Sequence, residues 1–524
     1  MKKGFVAALL ACACIGLAPS LAQSPPAAPA ATLTVHADQP GPKIDRRIFG
    51  QFAEHLGTGI YGGVWVGPNS KIPNTRGMRN DVVAALKALQ VPVVRWPGGC
   101  FADEYHWREG IGPRAQRPTK VNTHWGGVTE DNAFGTHEFM DFAEQIGSEV
   151  YVSGNVGNGT PAEMAEWVEY MTAPAGSLAD LRAKNGHKAP WKLEWFGLGN
   201  ELWGCGGNMR PEYAADVTKR YSTFVKLPKD TKTMKIASGA THNAEPWAEY
   251  NWTEVMMREA ASEIDGTGVH YYTFPSRRNP KGSATDFDEE SWARVLSKTL
   301  LMDGYLDGHE KIMDKYDPSG RKILAVDEWG TWYDPTPGSN PGFLQQQNTL
   351  RDAVVAALNI NIFAKHAKRV KMANIAQMVN VLQAMILTDG PKMVLTPTYH
   401  VFEMYRPFQD ATFVPIELKS SWYNKDQWAI PAVSASAARG TDGHLYIALV
   451  NVDPNRAASV SATLTGITGT SVTGRILTAT TMQAHNDFAA PDAVKPAAFG
   501  GAQLASGVLN VSIPAKSVVM LKVQ

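Results

Sequence analysis

Trp195-Phe196-Gly197-Leu198-Gly199-Asn200-Glu201-Leu202-Trp203 is a short apolar run that ends in Gly-Asn-Glu and passes into a glycine-rich loop, Gly204 to Gly207. A strand interior cannot hold an unpaired Glu, because desolvating a carboxylate is costly. Glu201 is therefore expected where a buried strand stops and a cleft begins. Ile323-Leu324-Ala325-Val326-Asp327-Glu328-Trp329-Gly330 has the same form. Two such strand ends, far apart in sequence, suggest one acid/base pair in one site.

Outward from these two stretches the chain alternates short apolar runs with amphipathic helical segments. The runs are Ile48–Phe52, Val91–Trp96, Val150–Val156, Leu193–Asn200, Lys235–Gly239, Gly268–Tyr272, Ile323–Glu328 and Met372–Val379. Most are continuously apolar, as expected of parallel strands buried on both faces. Helix starts lie between them. Thr160-Pro161-Ala162-Glu163 reads as a capping box with Pro at the first helical position, and Pro211 opens a helix over Glu212–Val225. Val82–Leu89 and Phe139–Ile146 carry i, i+3, i+4 apolar spacing. Eight strand–helix units predict an α/β fold, a (β/α)8 barrel over residues 47–406. A doubly wound open sheet is the alternative, but no strand is followed by a Gly-x-Gly-x-x-Gly turn.

After about Pro407 the texture changes. His444–Val452, Ala458–Leu464, Ser471–Thr480 and Val508–Val523 are rich in Ser, Thr, Val and Leu, with turn residues between them. This predicts a C-terminal antiparallel β-sandwich, jelly-roll-like, over 407–524. Leu33–His36 is strand-like, and residues 33–46 are expected to join that sandwich.

Lys+Arg and Asp+Glu balance at 50 each, so no basic field exists to attract nucleic acid or an anionic membrane. Fifteen Trp in 524 residues suit a sugar-binding cleft, although core packing accounts for most of them. Residues 1–22 read as a secretory signal: Lys2 and Lys3, an apolar stretch Phe5–Leu17, and Ser20-Leu21-Ala22 before a cut. The expectation is a secreted or periplasmic protein with a flexible leader at 23–32 and no membrane span. Leu9-Leu10-Ala11-Cys12 is a weaker lipoprotein-like alternative. Past the signal only Cys100 and Cys205 remain, either paired or two separate buried thiols. A metal reading of these two with His106 or His124 finds no close ligand spacing, so no metal is expected.

In a closed barrel of eight, strands four and seven face each other across the mouth. Glu201 and Glu328 could there flank a glycosidic bond, one as nucleophile and one as proton donor. A single Glu after an apolar strand is most simply a salt-bridged rim residue. Two, on strands four and seven and each beside Trp and Gly, weigh against that reading. Asn200 is placed to contact a sugar hydroxyl beside the reacting carbon.

These residues resemble the large clan of retaining glycosidases. The finer similarity is to glycoside hydrolase family 51, the α-L-arabinofuranosidases. It is carried by Gly50-Gln51-Phe52-Ala53-Glu54-His55-Leu56-Gly57, Arg95-Trp96-Pro97-Gly98-Gly99 and Phe134-Gly135-Thr136-His137-Glu138-Phe139. Asp327-Glu328-Trp329 with Trp332-Tyr333, Asn374-Ile375-Ala376-Gln377-Met378-Val379-Asn380, and His485-Asn486-Asp487-Phe488 complete it. The resemblance implies a retaining exo-glycosidase that removes terminal α-L-arabinofuranosyl groups from arabinan, arabinoxylan or arabino-oligosaccharides without a cofactor. It implies Glu201 as acid/base and Glu328 as nucleophile. Glu54, Asn200, Tyr272 and Gln377 would bind the sugar, and Trp332 would wall the pocket. It also suggests a homo-oligomer, often a hexamer.

Each residue has a reading of its own. Glu54 follows strand one and could accept from two hydroxyls, or else pair with an Arg. Tyr272 ends strand six and could orient the nucleophile, and Gln377, within strand eight, is a buried amide that needs partners. Many members carry Asn after Pro-Gly-Gly where this chain has Cys100, whose thiol is a weak donor, so that sugar contact departs from the pattern. A Cys100–Cys205 bond is open, because alternate-strand spacing can exceed the roughly 7 Å Cα limit. Two other functions stand beside this one: an endo-acting β-glycanase of the same clan, and a carbohydrate-binding protein without catalysis.

Overall fold

The computed structural model describes residues 1, 30–228, 231–241, 246–277, 279–467, 469 and 471–524. The segments read as signal and most of the leader lie outside the described residues. All eight apolar runs are parallel strands of one closed barrel, joined in chain order. They are β1 (Gly50–Phe52), β2 (Val93–Trp96), β3 (Glu149–Gly154), β4 (Trp195–Leu198), β5 (Met234–Thr241), β6 (Gly266–Thr273), β7 (Ile323–Thr331) and β8 (Val370–Ala376). Gln377, read as lying within strand eight, is the first residue beyond β8, and Asn200 likewise lies beyond β4.

Continuous apolarity in these runs reflects burial on two sides. Val93, Tyr151, Trp195, Ile236, Ile323, Ala325 and Met372 pack together inside the barrel. Alternate residues such as Trp96, Phe196, Val269, Val326 and Ile375 face the helices and join the main core. The helical layer includes α1 (Asn80–Leu89), α2 (Thr136–Ile146), α3 (Pro161–Thr172), α4 (Ser177–Lys184), α5 (Pro211–Phe224), α6 (Pro246–Ala260), α7 (Glu289–Tyr316) and α8 (Leu350–Lys365). Thr160 caps α3 by accepting from the Glu163 N–H at 3.1 Å. None of the described helices is long and apolar enough to cross a membrane.

The C-terminal region is a sandwich of two sheets around a second core that includes Leu33, Val35, Ile447, Leu449, Val460 and Leu521. The strand before the barrel does join it. It begins at Ala30, inside the stretch read as leader, and runs to His36. It pairs antiparallel with Ile416–Ser420 but parallel with Ala458–Thr465, so the sandwich is mixed and not purely antiparallel. The central strands of the other sheet are buried on both faces. In Leu445–Asn451, Ile447 and Leu449 face the sandwich core, while Ala448 and Val450 join the barrel's core.

Candidate active site

The barrel's C-terminal mouth gathers side chains from residues as far apart in sequence as Glu54 and Leu382. A pocket of about 340 Å³, its opening included, is lined by Glu54, Leu56, Gly99, Cys100, Trp125, Asn200, Glu201, Tyr272, Glu328, Trp332, Leu344, Gln377 and Leu382. All eight residues singled out from the sequence are among them.

Glu201 lies just past β4, where the chain turns sharply. Gly199 has φ of 81° and Glu201 of 41°, both in the left-handed region that a non-glycine residue enters only under constraint. The Glu201 carbonyl accepts from the N–H groups of Gly204 at 2.7 Å and Gly206 at 3.1 Å, which closes the turn. Glu201 Oε1 faces His270 Nδ1 at 2.9 Å, and its side chain keeps 20% exposure toward the pocket.

Glu328, on β7, is enclosed instead. Arg95 Nη1 donates to its Oε1 at 2.7 Å and the Tyr272 hydroxyl to its Oε2 at 2.7 Å, with His270 Nδ1 3.6 Å away. Burial alone would raise this carboxyl. His270, Arg95 and the Tyr272 hydrogen bond outweigh it and hold Glu328 below the usual carboxylate range. Burial also opposes charge on His270, but Glu328 and Glu201 raise its ring above the ordinary value. One oxygen of Glu201, one of Glu328 and one nitrogen of His270 all lie within 4.8 Å of one another. That donor set could be read as a metal site, yet the permanent charge of Arg95 beside Glu328 would repel a cation. The arrangement is suited to acid/base and nucleophilic work.

Arg95 organises the floor. Its Nη2 donates to Asn200 Oδ1 at 2.7 Å, and its guanidinium lies 4.6 Å from the Phe52 ring centre. Glu54 is the second buried carboxylate. Its Oε1 accepts from the N–H groups of Gly99 and Phe101 and the Trp125 indole at 3.0, 3.1 and 3.0 Å, and its Oε2 from Gln377 Nε2 at 3.2 Å. Burial and the Glu328 charge push Glu54 up to about 7 against those hydrogen bonds. The Pro-Gly-Gly turn is required here. A Cβ on Gly98 would come 2.6 Å from Glu54 Cγ, and one on Gly99 2.9 Å from Glu328 Oε1.

Cys100 and Cys205 form a disulfide with Cα atoms 5.6 Å apart, so the barrel spacing does allow the bond. Cys100 therefore lines the pocket as half a cystine and offers no thiol donor. The sulfur of Cys205 lies 3.6 Å from Glu201 Oε2. Trp332 stands edge-on to Tyr272, ring centres 5.1 Å apart, on the strand-seven loop.

The sequence reading did not single out Arg95, His270, Trp125, Leu344 or Leu382. Arg95 carried a usable signal, a single charge inside an apolar run. His270 stands two residues before Tyr272, which puts both on one face of β6. Trp125, Leu344 and Leu382 come from loops, which have no periodicity to read.

Comparison with known proteins agrees with this geometry. The family model described as the α-L-arabinofuranosidase 1 domain matches residues 85–289, and that of the α-L-arabinofuranosidase C-terminal domain residues 327–517. A Bacteroides ovatus protein named intracellular exo-α-L-arabinofuranosidase is 51% identical over 496 residues, 94% of this chain and 96% of its own. The crystal structure of a GH51 arabinofuranosidase from Xanthomonas axonopodis pv. citri superposes with a TM-score of 0.93 at 59% identity, covering 95% of this chain and all of that one. The Thermotoga maritima α-L-arabinofuranosidase arabinose complex superposes with a TM-score of 0.83 at 29% identity, covering 94% and 99% of the two chains. The first of these relatives overturns one expectation. A protein aligned over nearly the whole chain is named intracellular, so the secreted or periplasmic placement read from residues 1–22 is withdrawn. Fold, pocket and relatives together place the chain in glycoside hydrolase family 51, the α-L-arabinofuranosidases.

Proposed function

We propose that this α-L-arabinofuranosidase releases single arabinofuranosyl groups from non-reducing ends, with retention, through a covalent intermediate on Glu328. One observation carries the reading: an oxygen of Glu201 and an oxygen of Glu328 lie within 4.8 Å. Carboxyls roughly 5–5.5 Å apart suit double displacement, whereas inversion needs about 6.5–9.5 Å to admit water between them.

Glu328 is held ionised by Arg95 and Tyr272 and attacks the anomeric carbon. As the glycosidic bond breaks, Glu201 gives its proton to the departing oxygen. Glu201 then takes a proton from water, whose oxygen attacks the same carbon and frees Glu328. Asn200, Glu54 and Gln377 meet the ring hydroxyls, and Tyr272 holds the Glu328 oxygen in line. Trp125, Trp332, Leu344 and Leu382 wall a small pocket, which supports exo action. Arabinan, arabinoxylan and arabino-oligosaccharides present such ends.

The test uses an aryl α-L-arabinofuranoside beside arabinan, with product configuration followed by NMR. Glu328→Ala should lose hydrolysis to background while still folding; full activity would refute the assignment. Glu201→Ala should slow release from arabinan far more than from the activated aryl glycoside, since only the former leaving group needs a proton. Equal losses on both would contradict an acid role, and an inverted first product would exclude the covalent intermediate.

A further inference from the structure

Asp103 is a carboxylate the reaction does not use directly. It lies in the short turn Cys100–Glu104 after the Pro-Gly-Gly segment, is 1% exposed and does not line the pocket. Its Oδ1 accepts from the N–H groups of Val156 at 2.8 Å and Gly157 at 3.0 Å, just past β3. Its Oδ2 accepts from the Asn200 N–H at 2.8 Å, just past β4. Its own carbonyl accepts from the Asn158 N–H at 3.1 Å. Among the described residues it has no ion-pair partner. A buried carboxylate is an expensive way to fill space, so its value lies in what it holds.

What it holds is the turn that presents Asn200 and Glu201. Those backbone N–H groups have left the barrel ladder and need an acceptor. The turn also packs against Asp103 without slack. A Cβ on Gly206 would come 2.0 Å from the Asn200 carbonyl oxygen and 2.7 Å from Asp103 Oδ2. The left-handed backbone of Glu201 is thus fixed from one side by Asp103 and from the other by Gly204 and Gly206.

We propose that Asp103 is a positioning residue for glycoside cleavage, acting through the Asn200 N–H to set where the Asn200 amide and the Glu201 carboxyl meet the sugar. This rests on the roles of Asn200 and Glu201 proposed above. Asp103→Asn is nearly isosteric and keeps an oxygen for Val156 and Gly157. It turns an NH2 toward the Asn200 N–H, donor against donor. The expected result is a fall in kcat on the order of 10- to 100-fold with KM nearly unchanged, as for a misplaced group that acts in the transition state. A mutant cycle separates positioning from general damage. Combined with Asn200→Ala and Glu201→Ala together, and assayed on the activated aryl glycoside, Asp103→Asn should cost little further activity, because both groups it places are then gone. Independent, multiplying losses would overturn the proposal, as would wild-type kcat in Asp103→Asn. If Asp103→Asn fails to fold, Gly206→Ala displaces the same turn without altering the carboxylate. It should show the same kcat-specific loss, and wild-type kcat there would also overturn the proposal. Failure of the underlying reading looks different, because Asn200→Ala alone would then turn over at the normal rate.

Discussion

Two buried carboxylates in one pocket, Glu54 and Glu328, are pushed in opposite directions by their surroundings. Glu328 faces Arg95 and His270 and stays low; Glu54 has neutral donors only, feels the Glu328 charge, and rises to about 7. A raised folded-state value means the protonated form is favoured by folding. The Glu54 contribution to stability is therefore fully present below its ordinary value of 4.5 and is lost as pH rises through about 7. Urea unfolding of wild type and Glu54→Gln across that window should show their difference shifting by on the order of 3 kcal/mol against wild type. In a Glu328→Gln background the shift should shrink, since one cause of the raised value is gone. A difference constant with pH would contradict this account. At this scale the sequence was informative where chemistry is expensive. Glu201 and Glu328 stood out because charged groups ending apolar strands must be held by something, whereas Glu54 and Gln377 were named through the family resemblance. Trp125 and Leu344 carry no such cost, and their sequence neighbourhoods do not mark them.

Among the secondary elements, α7 and α8 are joined by a charge arrangement remote from the pocket. His366, which ends α8 and is buried, has Nδ1 3.0 Å from Glu310 and Nε2 2.9 Å from Asp303, both on α7. Burial opposes the imidazolium, but the two carboxylates hold its value up at about 9. The sign follows directly. The contribution is fully present below the ordinary 6.5 and disappears as pH rises through about 9. Thermal unfolding of His366→Asn should show a deficit near neutrality that closes toward pH 9–10; a deficit unchanged over that range would exclude a charged His366. The barrel strands were legible because two-sided burial writes them as apolar runs. The strand Val433–Arg439, Val-Ser-Ala-Ser-Ala-Ala-Arg, was not, because small residues fit a sheet pressed against helices yet carry little strand preference. The hairpin Ile386–Leu395 was missed for its brevity.

For the molecule as a whole, the barrel and sandwich share a core as well as a chain. The main apolar cluster runs from barrel and helix residues such as Trp329, Val355 and Phe363 into the sandwich residues Ala448, Val450, Leu477, Val518 and Met520. The Trp292 indole on α7 donates to the Val452 carbonyl at 2.9 Å. Asn486, fully buried, donates to the carbonyls of Leu395 and Val494, and Gln347 reaches the Asn486 carbonyl. The segment around Asn486 is thus tied to the loop that follows Trp332. Domains linked only by a tether and a polar contact melt separately, whereas a continuous apolar core couples them. Calorimetry should accordingly show one transition, with pocket fluorescence and activity lost together. Leu477→Ala, in the sandwich but within the shared core, should cost about 2–5 kcal/mol and move the entire transition down. A variant in which the sandwich melts first, while the barrel keeps hydrolysing an aryl arabinofuranoside at the wild-type rate, would show the interface to be dispensable.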